Sequence, residues 1–190
     1  MGLRLFLGVF PPEDVLRELD DVLVGLTPME RGLRWTKNDQ RHVTLFFLGD
    51  SPEDQVDGLK AKVTSVSQSV PSFDATLKGL DGFPDLHHPK TLFVPTEARG
   101  GGWLCLYEAL RPGLTRLGFK LEVKPYRPHL TLARLKDPKS VQGLLPGLKN
   151  ALGALEARWT VDSFRLVSSR LDPQGVRYET LETFPLKKEG

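Results

Sequence analysis

The sequence predicts an α+β fold, with two antiparallel sheets flanked by helices and arranged as duplicated lobes on either side of a central cleft. Three observations carry this reading. Two short apolar strands each open on a His-x-Thr triplet, His42-Val43-Thr44 and His129-Leu130-Thr131. The triplets lie 87 residues apart (129 − 42), close to half of the 190-residue chain. The segments around them repeat one order: strand, helix, strand, helix, two strands, then helix, strand, helix, two strands. Two copies of so long a period exclude a solenoid. We therefore expect a single domain over 1–190, made of pseudo-repeats at roughly 1–97 and 98–190, with terminal strands crossing between lobes.

The elements follow in order. Residues 3–10 are almost wholly apolar and read as a buried strand, far too short to span a membrane. Pro11-Pro12-Glu13-Asp14 is a helix start, with proline preset for the first turn and acids at the positive dipole end. Val15, Leu19, Val22, Leu23 and Leu26 follow at helical spacing. Residues 27–32 read as a loop, 33–37 as a short strand, and 38–40 as the turn into the His42 strand. Ser51 is expected to cap a second helix, with Pro52 first inside it. Its stripe is Val56, Leu59, Val63, Val66 and Val70, and Pro71 ends it. Residues 73–80 and 91–96 alternate as strands, joined by a loop over 82–90.

Gly100-Gly101-Gly102 is a joint before a helix over 103–118, which Pro112 is expected to kink or split. Residues 119–123 suggest a strand edge leading into the His129 strand. A helical segment over 139–155 is interrupted at Pro146-Gly147. Long strands over 158–171 and 176–186 flank Asp172-Pro173-Gln174-Gly175, a hairpin turn in which proline fixes one angle and glycine takes a positive one.

Composition is that of an ordinary globular protein, 39% hydrophobic and 26% charged. A net charge of +2 permits a phosphate-bearing partner and argues against a broad nonspecific nucleic-acid surface. Cys105 is the single cysteine, so no intrachain disulfide and no cysteine zinc cluster is expected, and a reducing cytoplasm fits. In its helix Cys105 reads as inert packing.

Along a strand, His42 and Thr44 share a face, as do His129 and Thr131. One such triplet is most often a hydrogen-bonded structural pair. Two copies at matching places in otherwise apolar strands are costly to bury without a use. A phosphodiester between two imidazoles supplies that use. One neutral histidine takes a proton from attacking water, and the other, protonated, gives one to the leaving oxygen. The threonine hydroxyls donate to non-bridging oxygens, where charge builds. No carboxylate set is placed to hold a metal, and no cofactor is expected. His87 and His88 read as a solvated loop rather than metal ligands. Lys120, Lys124, Arg127, Arg134 and Lys136 cluster around the second triplet and read as scattered surface charge, with phosphate steering as the alternative. Trp35, Trp103 and Trp159 read as packing residues, with Trp35 able to edge the cleft.

These residues resemble the RNA 2′,3′-cyclic phosphodiesterases, also described as 2′-5′ RNA ligases, of the two-histidine phosphoesterase superfamily. The resemblance runs over nearly the whole chain: Arg4-Leu5-Phe6 with Pro11-Pro12, Trp35, the run from His42 to Gly49, the run from Pro128 to Arg134, and Ser168-Ser169 through Tyr178 to Leu186. It implies a V-shaped cleft and metal-independent hydrolysis of an RNA terminal 2′,3′-cyclic phosphate to a 2′-phosphate. By motif, His42 is implied as proton donor and His129 as proton acceptor; the pseudo-symmetric residues themselves leave the roles open. Thr44, Thr131 and Arg134 are implied as substrate-binding residues. Arg134 is five residues from His129, so a regular strand points it away from the cleft; it reaches the site only past a bulge or the strand end, or else is structural. Relatives can carry an aromatic where Leu7 stands, so weaker base stacking is expected here. A monomer with an RNA-end substrate and no membrane contact is expected. Other readings stay open: small cyclic nucleotides or ADP-ribose cyclic phosphate as substrate, 2′-5′ ligation by the reverse reaction, or an RNA-end-binding module without turnover.

Overall fold

The computed structural model describes residues 2–24, 33–173 and 175–188. In chain order its elements are β1 (Gly2–Val9), α1 (Glu13–Leu23), β2 (Leu33–Trp35), β3 (Val43–Pro52), α2 (Val56–Ser67), β4 (Phe73–Leu77), β5 (Asp81–Phe83), β6 (Thr91–Ala98), α3 (Gly102–Arg116), β7 (His129–Leu135), α4 (Leu145–Ala154), β8 (Ala157–Val161), β9 (Ser163–Asp172) and β10 (Gly175–Pro185). This is the expected α+β class. The strands form one antiparallel path, β10-β9-β1-β3-β7-β6-β4-β8, with β2 added to β7 and β5 to β6.

The middle of this path is its narrowest join. β3 and β7 share a single register pair, Val43 with Leu130. Both side chains are fully buried, so the residues on either side of them project from the opposite face. Antiparallel register around that pair sets His42 beside Thr131 and Thr44 beside His129. Past the join β2 takes over the same edge of β7, with Leu33, Arg34 and Trp35 opposite Leu135, Arg134 and Ala133.

Alternation in β1 separates core from site. Leu5, Leu7 and Val9 point into the apolar core, while Arg4, Phe6 and Gly8 line the other face. Leu7 is thus wholly buried and cannot meet a base. α1 buries Val15, Leu16, Leu19 and Leu23 against α4 and β8, and α2 buries Leu59 and Val63 against α3 and β10. Leu26 and the loop expected at 27–32 lie outside the described residues.

Several boundaries differ from expectation for identifiable reasons. Ser51 is not a helix cap: Ser51 and Pro52 still pair with Leu3 and Gly2 of β1, and a short 3₁₀ turn precedes α2. α2 ends at Ser67, whose hydroxyl bonds the Thr64 carbonyl, four residues before Pro71. Pro112 does not split α3; the buried stripe Trp103, Leu106, Tyr107, Leu110 and Leu114 holds the helix together across it. That stripe passes Cys105 by, so the thiol is exposed rather than packed. Pro146 sits in the first turn of α4, where its missing N–H costs nothing, instead of interrupting a longer helix. Residues 119–123 form no strand, and residues 81–83 form one within the expected loop region. The strand expected over 158–171 is two, because β8 pairs with β4 while β9 crosses to β1.

Candidate active site

Each histidine is aimed by its own backbone. His42 Nδ1 donates to the Gln40 carbonyl at 2.8 Å, and His129 Nδ1 donates to the Arg127 carbonyl at 2.7 Å. A carbonyl only accepts, so Nδ1 carries a hydrogen in both rings. Nε2 is therefore the atom left to give or take a proton. Both rings are half-buried.

Aromatic seats fix the ring planes. His42 stacks on Phe6 (centroids 4.6 Å apart) and Phe10 (5.2 Å), with the edge of Tyr178 at 5.5 Å. Gly8 lies beneath it: a Cβ there would come within 3.1 Å of the His42 ring and 3.3 Å of both Phe6 and the Val43 carbonyl. His129 meets Phe93 at 4.8 Å and Phe83 at 5.1 Å. Arg127 lies over both of these rings and pairs with Asp81 at 2.6 Å, so of the five cations around the second triplet this one is held in the wall. Lys120, Lys124 and Lys136 are exposed.

These surroundings lower both imidazole pKa values. Desolvation is the main cause for His42, reduced to about 4, with smaller contributions from His129 and Arg134 and a partial offset from the Gln40 hydrogen bond. Desolvation also dominates the lowering at His129, where Arg127 and Arg134 add to it. Both shifts favour the neutral form of each imidazole.

Bulges at matching places turn both strands after the threonine. β3 steps from Thr44, opposite Gly8, to Phe46, opposite Leu7, leaving Leu45 extra. β7 steps from Thr131, opposite Phe93, to Ala133, opposite Leu92, leaving Leu132 extra. The extra residue reverses side-chain parity. Burial follows: Leu132 and Ala133 are both buried and Arg134 is exposed, just as Leu45 and Phe46 are buried and Phe47 is exposed. Arg134 thus comes onto the face of His129 and Thr131, where its charge acts on His42, His129 and Tyr178. Phe47, 63% exposed with its ring 6.3 Å from Phe6, is the corresponding residue of β3. The structure brings together all five residues singled out in the sequence: His42, His129, Thr44, Thr131 and Arg134. Phe47, Gly8, Phe10 and the Asp20–Arg41 pair described below escaped sequence reasoning, because burial and bulging determine their placement.

Two further contacts fix the approaches to the histidines. The buried Arg41 guanidinium pairs with Asp20 of α1, which also accepts from the Asn38 amide, so the turn before His42 is tied to a helix. On the other side, Tyr126 donates to the Thr44 carbonyl at 3.2 Å and stacks on Tyr107, itself stacked on Phe46. His87 and His88 donate their backbone N–H groups to Asp85, as in a solvated loop turn. Among the described residues no group of three or more histidine, cysteine or carboxylate side chains is placed to hold a metal ion.

A family model for the 2′-5′ RNA ligase superfamily matches residues 8–173, which include both triplets, their bulges and Arg134. The chain belongs to this superfamily. It is 36% identical to an RNA 2′,3′-cyclic phosphodiesterase of Thermus thermophilus, over 98% of this chain and 92% of that protein. A Thermotoga maritima protein of the same name is 29% identical over 94% and 93%. Among solved structures, TT0787 of Thermus thermophilus superposes with a TM-score of 0.81 at 33% identity, covering 99% and 100% of the two chains. Escherichia coli LigT, solved with 3′-AMP, shares the fold at a TM-score of 0.76 and 23% identity, over 98% and 99%. No helix among the described residues is long and apolar enough to cross a membrane.

Proposed function

We propose that this superfamily member hydrolyses the 2′,3′-cyclic phosphate at the end of an RNA to a 2′-phosphomonoester, using His42 and His129 as paired proton donor and acceptor without a metal. The activity class rests on the relatives named above. The mechanism rests on one observation: two imidazoles, each held through Nδ1 by a backbone carbonyl, flank the β3–β7 join, His42 just before β3 and His129 at the start of β7, with a threonine beside each.

The cyclic phosphate sits between the two Nε2 atoms. Water attacks phosphorus and gives a proton to His129 Nε2. The P–O3′ bond breaks, and His42 Nε2–H protonates the departing O3′. The 2′ oxygen keeps the phosphate. Proton exchange with solvent then restores the starting state. Thr44 and Thr131 donate to the non-bridging oxygens, and Arg134 offsets the charge that develops there. A neutral resting site serves this scheme, because the substrate's negative charge favours an imidazolium on binding and counters the desolvation that lowers both pKa values. Phe47 offers an exposed ring for the terminal base.

His42→Ala and His129→Ala variants, assayed with a cyclic-phosphate RNA in the presence of EDTA, test the scheme. Each is expected to lose turnover by about 10³-fold or more while the wild type is unaffected by the chelator. Near-normal turnover in either variant overturns the two-histidine mechanism.

A further inference from the structure

Arg34 is unused by the mechanism above, and its position gives it a role. It stands in β2 directly opposite Arg134 of β7. Cross-strand partners in an antiparallel pair project from the same face, with backbones about 5 Å apart. Arg34 therefore shares the face that the β7 bulge gives to Arg134.

Its surroundings leave the charge available. The side chain is exposed and forms no ion pair with a described carboxylate. Asp172, at the nearby hairpin end, is engaged by Arg177. The guanidinium reaches that hairpin: its Nη2 lies 3.8 Å from where a Cβ would stand on Gly175. The hairpin is tied down there by Gln40, whose side-chain amide donates to the Val176 carbonyl at 2.7 Å. Arg34 thus lies beside a hairpin strand that this bond ties to the turn before His42.

The Arg134 charge acts on both imidazoles, and Arg34 stands one strand over from Arg134, against the Gly175 hairpin. This pairing lets Arg134 take the reacting phosphate and Arg34 the group next to it. Two guanidinium groups in sequence along one face suit two successive phosphates of a chain, the outer one a phosphodiester that a mononucleotide does not have.

We infer that Arg34 binds the internucleotide phosphodiester next to the terminal cyclic phosphate and so makes the enzyme prefer polynucleotide ends to free nucleoside cyclic phosphates. The inference rests on the cyclic-phosphodiesterase reading. The test compares wild type and Arg34→Ala on a short RNA ending in a 2′,3′-cyclic phosphate and on a nucleoside 2′,3′-cyclic phosphate, across a salt series. The variant is expected to lose about five- to tenfold in kcat/KM on the RNA, chiefly through KM, and to shed about 0.7 from the slope of log(kcat/KM) against log salt. The mononucleotide rate stays as in the wild type, which also reports an intact fold. Arg34→Lys recovers part of the loss. An unchanged rate on RNA, or equal losses on both substrates, overturns the inference. Wild-type protein that leaves both substrates intact overturns the cyclic-phosphodiesterase reading, and this inference falls with it.

Discussion

His42 illustrates how a residue can be both exposed enough to react and buried enough to be poised. Phe6, Phe10 and Tyr178 enclose its ring, and Gly8 lies so close beneath that a Cβ there would press on the ring at 3.1 Å. Desolvation holds its pKa near 4, well below the ordinary histidine value of 6.5. Between those pH values the unfolded chain binds a proton at His42 that the folded chain does not. Stability therefore rises with pH through this window and is lost as pH falls from 6.5 towards 4. The contribution is at most about 3 kcal/mol. Urea unfolding of wild type and His42→Gln at pH 7 and pH 4.5 measures it: the wild type should lose more stability on acidification than the variant. Equal losses would mean that the His42 pKa is not depressed in the folded protein.

At the level of elements, β3 and β7 were legible from the apolar run after each triplet, and the parity argument left Arg134 past a bulge, past the strand end or structural, of which the structure shows the bulge. The bulges themselves were not legible. A one-residue shift is a property of strand pairing, and nothing in Leu45 or Leu132 distinguishes an extra residue from a paired one. The same limit hid the division of residues 158–171, since β8 and β9 differ only in which strand each joins. Helix ends shifted where pairing held the chain extended, as at Ser51, or where a proline suited a first turn, as at Pro146. α1 does more than cover the sheet, because Asp20 holds the buried Arg41 just before His42. Asp20→Ala leaves that guanidinium unpaired and should cost about 3 kcal/mol in chemical denaturation, with weakened turnover in the surviving folded fraction. A loss below about 0.5 kcal/mol would show that Arg41 escapes to water and that the clamp is unimportant.

Across the molecule, one spacing relates the two halves. Phe6 and Phe93, Gln40 and Arg127, His42 and His129, Thr44 and Thr131, Leu45 and Leu132, and Phe47 and Arg134 are each 87 residues apart. The pairs match in role: an aromatic seat, an Nδ1 acceptor, an imidazole, a hydroxyl, a bulge and a residue turned onto the face. We propose a duplication in which β6 matches β1, with the second copy beginning near residue 90. In this reading strands are exchanged between the copies, with β9 on β1 and β4 on β6. The copies diverge at the position five residues after histidine, a ring on one strand and a guanidinium on the other, and this difference can orient a substrate between otherwise equivalent histidines. Orientation determines the product. The decisive measurement is phosphorus NMR of a short RNA ending in a 2′,3′-cyclic phosphate, incubated with the protein in EDTA. The account predicts a terminal 2′-phosphomonoester; a 3′-phosphomonoester, a joined RNA or an intact cyclic phosphate would contradict it.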